Sequence, residues 1–404
     1  MRSKARPSGQ LFRLALVCAV ALLCPAQVLA QRPPEQDYLV YVVSESADKI
    51  SLVRFGPKGA SVERNFGTGV MPTDVDGPHG VAVSPDKKFY YVSLGHGRPF
   101  GYVWKYAADD DKVVGQVKLG LFPATMDVSP DGEFVYAVNF NLHGDMVPSS
   151  VSVVAAGEMV EVARLTTCTM PHGSRFNPQG TKHYSACMMD DMLVEIDTRT
   201  LKVSRHFLLT QGKEMGMAGA PPARGGGGHA GVHKMDTGGH GMEMPKPGDV
   251  SCSPTWAQPN ADGSTVFVAC NKSSEIVEVD ANAWKVAQRI PARAGVYNLA
   301  ASKDGRKLVA TNKRDQSVSV YDAKTGKELA RIPTKRKVLH GVAVSPDSRY
   351  AFVTVEGIGS EPGTVEVIDL EALKTVATVD VDPQAAGVDF FQMQNPGARI
   401  RNPE

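Results

Sequence analysis

The chain predicts an all-β fold, a seven-bladed β-propeller with four-stranded blades whose last blade is closed by N-terminal strands. Three observations carry that expectation. The first is a turn that recurs at a near-constant interval: Pro85-Asp86, Pro130-Asp131, Pro178-Gln179, Ala261-Asp262, Lys303-Asp304 and Pro346-Asp347. Counting back seven residues gives a common position, held by His79, Ala124, His172, Thr255, Tyr297 and His340, and a seventh unit begins near Ala386. The spacings are 45, 48, 83, 42, 43 and 46, and removing a 38-residue Gly/Met/His segment at 211–248 returns the long one to 45. Periods of this size belong to propeller blades. The second observation is the pattern inside a period: runs rich in Val, Ile, Leu and Tyr at 307–311, 317–321 and 328–332 are split by Asn-Lys, Asp-Gln and Lys-Thr-Gly turns, with no long helix anywhere. The third is the arithmetic of the ends. The last unit has one strand, near 387–392, and the N-terminal region supplies three, at 38–44, 49–55 and 61–66, with no inner strand before them. Three plus one complete a blade and remove an open sheet edge. A pair of packed sandwiches is the alternative arrangement.

In chain order, residues 1–30 read as a secretory signal. Arg2, Lys4, Arg6 and Arg13 flank an apolar run at 14–23, and Val28-Leu29-Ala30 offers a small-residue cleavage site. The run is short for a bilayer span, so an uncleaved anchor is the weaker reading. The expectation is one propeller domain at 31–404, periplasmic or secreted, with no integral membrane span in the mature chain. A formal net charge of +1 over 404 residues argues against nucleic acid or an acidic membrane surface as partner. Cys18 and Cys24 would leave with the signal. Cys168, Cys187, Cys252 and Cys270 remain, an even number in an oxidising compartment. Cys187 and Cys270 fall at ends of second strands, and Cys168 and Cys252 just before the inner strands of the same blades. The expected pairs are Cys168–Cys187 and Cys252–Cys270 within blades. Pairing across neighbouring blades, Cys168–Cys252 with Cys187–Cys270, stays open, as does thiolate ligation of a metal.

The histidines follow the repeat. Pro78-His79-Gly80, Pro171-His172-Gly173 and Leu339-His340-Gly341 place His79, His172 and His340 at the start of the inner strand in blades 1, 3 and 6. His96 and His143 follow second strands in blades 1 and 2, on the same face of the ring, here termed upper. The segment 211–248 joins blade 3 to blade 4 and is also expected on that face. It carries Met215, Met217, His229, His233, Met235, His240, Met242 and Met244 as candidate ligands on a lid. Imidazoles suit copper or zinc, thioethers suit Cu(I), and no calcium-loop pattern of acids occurs. Copper is therefore the expected cofactor, mono- or multinuclear. Because blades 1, 3 and 6 are not neighbours, a compact three-histidine site is not required by the register. The plain alternatives are a turn-shaping histidine and a surface loop of biased composition.

Three residues past each repeat position stand Ala82, Asp127, Arg175, Gln258, Ala300, Ala343 and Asp389, which alternation turns toward the channel. Asp127, Arg175 and Asp389, with Tyr297 at the repeat position of blade 5, are the candidate catalytic groups. The carboxylates would orient ligands or exchange protons, and Arg175 would hold an anion. An ion network that fixes the blades is the structural alternative. No CxxCH, Gly-rich phosphate loop or serine nucleophile elbow is present.

The run Val309-Ala310-Thr311-Asn312, with 317–321 and Lys324-Thr325-Gly326, resembles the YVTN-type repeat of bacterial and archaeal propellers, and the likeness extends with decay over residues 38–393. It is specific for fold and weak for function. Similar propellers include surface proteins, lactonases, lyases, haem d1 domains of nitrite reductases, the copper domain of nitrous oxide reductase and a secreted multicopper thiocyanate dehydrogenase. The expected function is an exported copper-binding propeller with a metal site at the upper channel mouth. It would act as a copper-dependent oxidoreductase on a small molecule or anion, with a periplasmic redox partner. The alternatives are copper storage or delivery, and a non-catalytic scaffold for a protein or cell-envelope partner.

Overall fold

The turn that closes each inner strand explains why the repeat is so regular. In blade 1 the Ser84 hydroxyl donates to Asp86 Oδ1 at 2.6 Å, Asp86 Oδ1 accepts from the Lys88 amide at 3.0 Å, and the Phe89 amide donates to Ser84 Oγ at 3.0 Å. Ser129/Asp131, Ser302/Asp304 and Ser345/Asp347 repeat the device, and Asn177 and Asn260 replace the serine in blades 3 and 4. Short polar side chains thus satisfy the backbone of the turn and set the register of the strands on either side.

The computed structural model describes residues 33–69, 75–96, 99–221 and 250–399, together with Met1. These form seven sheets. Inner strands run Pro78–Val83, Pro123–Val128, Pro171–Phe176, Pro254–Pro259, Val296–Ala301, Leu339–Val344 and Ala385–Gln394, and each pairs with a second strand that returns upward. The seventh blade is composite. Ala385–Gln394 is antiparallel to Asp37–Ser44, which pairs in turn with Lys49–Gly56 and Gly59–Gly67. The protein is a seven-bladed β-propeller closed by its N-terminal strands.

The core lies between blades. Leu39, Tyr41 and Ile50 of blade 7 meet Val81, Tyr90 and Val92 of blade 1, with Tyr41 stacked on Tyr90 at 4.0 Å between ring centroids. Comparable layers fill the other six gaps. Strands buried on both faces read as nearly continuous apolar runs, whereas the outer strand Gly59–Gly67 alternates between exposed and half-buried residues.

Two expectations need correction. Blade 3 has five strands, because Met215–Ala218 pairs antiparallel with the outer strand Lys202–Leu208. Met215 and Met217 therefore extend the outer edge of that blade and do not roof the channel, and the chain there runs back from the upper face. The other candidate lid ligands, His229, His233, Met235, His240, Met242 and Met244, lie outside the described residues, as does the expected signal segment. The disulfides are Cys168–Cys187 and Cys252–Cys270, the expected pairs. Cys168, however, sits in the outer strand Val160–Thr169 of blade 2, so its bridge joins two blades. Among the described residues no helix is long and apolar enough to cross a membrane.

Candidate functional site

Each histidine of the repeat owes its position to the glycine that follows it. A Cβ on Gly341 would approach the Ala386 carbonyl to 2.8 Å, and one on Gly173 would approach the Thr255 carbonyl to 2.5 Å; at Gly80 it would collide with the Ala124 carbonyl. The missing side chain lets neighbouring inner strands close up at the top of the channel. Side chains at the preceding position are thereby pushed onto the axis.

There they meet. His79 and His340 have ring centroids 4.9 Å apart, His79 and His172 6.2 Å. Tyr297 completes the group, with centroids 5.4 Å from His172 and 5.2 Å from His340. Blades 1, 3, 5 and 6 thus contribute one ring each, across the diameter of the ring and not along its circumference. The three histidines are only 8%, 1% and 5% exposed, so their polar atoms must find partners inside the protein.

Those partners set the tautomers. His172 Nδ1 lies 2.9 Å from the Thr255 carbonyl, which can only accept, so Nδ1 carries the proton and Nε2 a lone pair. The Tyr297 hydroxyl, 3.1 Å away, donates to that lone pair; it is 3.5 Å from His340 Nε2. His79 Nδ1 donates to Glu45 Oε2 at 2.8 Å, and its Nε2 is buried with no protein partner. Burial lowers the His172 pKa to about 3, and the neighbouring His79 adds to the shift. Burial, with Lys313 nearby, pushes His340 well below the ordinary range. Both rings are neutral at physiological pH. Burial likewise raises the Tyr297 hydroxyl.

The residue just beyond each second strand forms a rim around this cluster: Glu45, Gly95, Phe140, Met188, Asn271, Lys313 and Glu356. Glu45 binds two histidines at once, accepting from His96 Nε2 at 2.8 Å as well as from His79. Burial alone would raise its pKa, but the two imidazoles hold it well below the usual carboxylate range. The same hydrogen bond raises His96. Lys313 pairs with Glu356 at 3.0 Å and lies 3.9 Å from the centre of the Tyr297 ring. His143 is exposed beyond them, its ring 6.2 Å from that of His96. Glu45, Lys313 and Glu356 carry no motif of the histidine repeat. Applying the repeat count to the ends of the second strands would have found them.

The other predicted channel residues lie elsewhere. Asp127, Arg175 and Asp389 line a cavity at the lower end, three residues and therefore about 10 Å further along their strands. Neither carboxylate touches the imidazoles. Asp127 Oδ2 accepts from the Phe176 amide of the next blade at 2.8 Å, and Asp389 Oδ2 from the Val83 amide at 2.7 Å. They stitch blade 2 to blade 3 and blade 7 to blade 1. The orienting carboxylate expected of them is supplied by Glu45. Burial raises the Asp127 pKa against the pull of Arg175. Between the two ends is a void of about 30 Å³, lined by His79 and His340 above and by Arg175 and Trp256 below. Among the described residues no three His, Cys, Asp or Glu side chains stand in ready metal-ligating geometry. The Tyr297 hydroxyl sits against two of the imidazole nitrogens that would ligate.

No family model and no curated protein matches the chain. Solved structures do. The periplasmic gluconolactonase PpgL of Pseudomonas aeruginosa is 17% identical, with TM-score 0.64, covering 88% of this chain and 99% of that one. Hydrazine synthase of Kuenenia stuttgartiensis is 20% identical, with TM-score 0.58, covering 80% and 92%. The dihydro-heme d1 dehydrogenase NirN is 18% identical, with TM-score 0.54, covering 90% and 78%. Identities this low establish a shared propeller architecture, on which these three proteins carry different activities.

Proposed function

We propose that this chain is an exported copper-binding propeller whose His79, His172 and His340 hold the metal on the channel axis, and that it acts as a copper-dependent oxidoreductase on a small molecule or anion. One observation carries the reading: three buried imidazoles from separate blades converge, two held neutral by burial and the third with a buried Nε2 that no protein group satisfies. Neutral imidazole is the ligating form, and a partner fixed on Nδ1 presents Nε2 to the metal. Glu45 does this for His79 and the Thr255 carbonyl for His172. Such a set fits copper or zinc, and copper when bound supplies a one-electron couple. Binding requires the Tyr297 hydroxyl to turn away from His172 and His340, after which it is a hydrogen-bond donor beside the site. Lys313, held at the rim by Glu356, would orient an incoming anion, and electrons would leave to a periplasmic redox partner.

Metal analysis after copper loading and dialysis tests the site. We expect about one copper per chain as a minimum, and a fall of at least about tenfold in affinity for each of His79→Ala, His172→Ala and His340→Ala. Substoichiometric copper in the wild-type protein, or unchanged uptake in all three variants, overturns the reading. Copper that binds but supports no turnover of any reductant or anion assigns the protein to storage or delivery.

A further inference from the structure

The lower end of the channel is built differently from the upper one. Its cavity encloses about 380 Å³, a volume suited to a small polar molecule. Three cations line it: Arg175 on the inner strand of blade 3, and Lys87 and Lys303 on the turns beneath blades 1 and 5. Asp127 and Asp389 share the wall, but each is committed to backbone amides through both oxygens. Asp127 accepts from Phe176 at 2.8 Å and from Val128 at 3.1 Å; Asp389 accepts from Val83 at 2.7 Å and from Phe390 at 2.8 Å. Asp127 feels the charge of Arg175 and Lys303, and Lys87 that of Asp389 and Asp86, but among the described residues no carboxylate reaches salt-bridge distance of the three cations.

Arg175 is also held ready. Its guanidinium lies over the Trp256 indole, 4.7 Å from the ring centre, and one of its nitrogens donates to the Ser174 carbonyl at 2.9 Å. Stacking fixes the plane of the fork, and among the described residues its other N–H groups have no protein acceptor, so they are open to a ligand in the cavity that Arg175 lines. Gln258 uses its amide nitrogen on the Pro259 carbonyl at 2.9 Å, which leaves its oxygen for a donor on a ligand.

We infer that this cavity is a binding site for a small molecule bearing an oxyanion, either a carboxylate or a phosphate. The oxyanion is received by the Arg175 fork, where paired N–H donors match two oxygens. Lys87 and Lys303 at the mouth attract it and limit its escape. The site lies below the upper histidines, across the small void that Arg175 also lines, and does not depend on a metal there.

Isothermal titration of the full chain with inorganic phosphate and, separately, with malonate tests this at low salt and neutral pH. Saturable binding of at least one probe is expected, and the preferred probe tells phosphate from carboxylate. Arg175→Gln should weaken it at least about tenfold, equivalent to about 1.4 kcal/mol. Because Arg175 also covers Trp256, the rim variant Lys87→Gln/Lys303→Gln provides a second measure. It should keep the wild-type melting temperature, weaken binding and reduce its salt dependence. Wild-type protein that binds neither probe at millimolar concentration, or affinities unchanged in both variants, overturns the proposal.

Discussion

His183 shows how much a single buried group reports on the fold. It is fully enclosed, between the rings of Tyr136 at 4.8 Å and Phe176 at 5.0 Å, and neither of its nitrogens has a partner. Burial, assisted by the charge of Arg175, lowers its pKa from 6.5 to about 3. The sign of the consequence is fixed. Below 6.5 the unfolded chain takes up a proton that the folded chain refuses, so the stability tied to this residue is full above 6.5 and is lost as pH falls toward 3. The slope is up to about 1.4 kcal/mol per pH unit. His183→Phe should flatten the decline in melting temperature across that window while leaving it nearly unchanged at pH 7; an identical pH profile would contradict this. The residue scale is also where the sequence was least complete. The three repeat histidines and Tyr297 were legible because a turn seven residues downstream marks each. Glu45 was not, because no local motif marks it; it is singled out only when the repeat count is carried to the ends of the second strands and across the composite blade.

At the scale of elements, two bridges stiffen the region where the repeat is interrupted. Cys252–Cys270 ties the linker before the inner strand of blade 4 to the end of its second strand, and Cys168–Cys187 ties the outer strand of blade 2 to the second strand of blade 3. They span sequence separations of 18 and 19 residues respectively. Loops of that size correspond to about 3 kcal/mol each on the chain-entropy account. Cys168→Ser/Cys187→Ser should therefore lower unfolding free energy by about 2–4 kcal/mol in denaturant titration. The Cys252–Cys270 pair was legible because antiparallel geometry brings the linker before an inner strand to the end of the second strand; Cys168–Cys187 was the expected pair, but it links neighbouring sheets. The fifth strand of blade 3 was not legible. Met215–Ala218 is short and rich in Gly and Met, and it becomes a strand only because the exposed edge of Lys202–Leu208 offers unpaired backbone groups to it.

The whole molecule depends on closure. Seven inter-blade layers form one circular core, and the layers on either side of blade 7 exist only when Asp37–Gly67 joins Ala385–Gln394. Tyr38 reinforces the joint by donating to Asp347 Oδ2 at 2.7 Å, and Ser44 by donating to the Asp382 carbonyl at 3.0 Å. Deleting residues 37–67 should give a chain that aggregates in size-exclusion chromatography. A circular permutant carrying the same residues after the last inner strand should fold with a wild-type circular dichroism spectrum. If the deletion alone stays monomeric and cooperative, closure is not what holds the ring.

The sequence by itself determined the number of blades, the composite seventh blade, the shared register of His79, His172, Tyr297 and His340, and the channel-facing slot of Asp127, Arg175 and Asp389. All of these follow from local periodicity and turn chemistry, which act over a few residues. Only the tertiary structure decided which of them meet. The glycines after the repeat position let the inner strands close in until rings from blades 1, 3, 5 and 6 touch across the axis, while the next polar layer is carried to the opposite end. Glu45 reaches His79 because a strand from the start of the chain is the second strand of its last blade. Distances of that kind are set by ring closure, which no window of sequence contains.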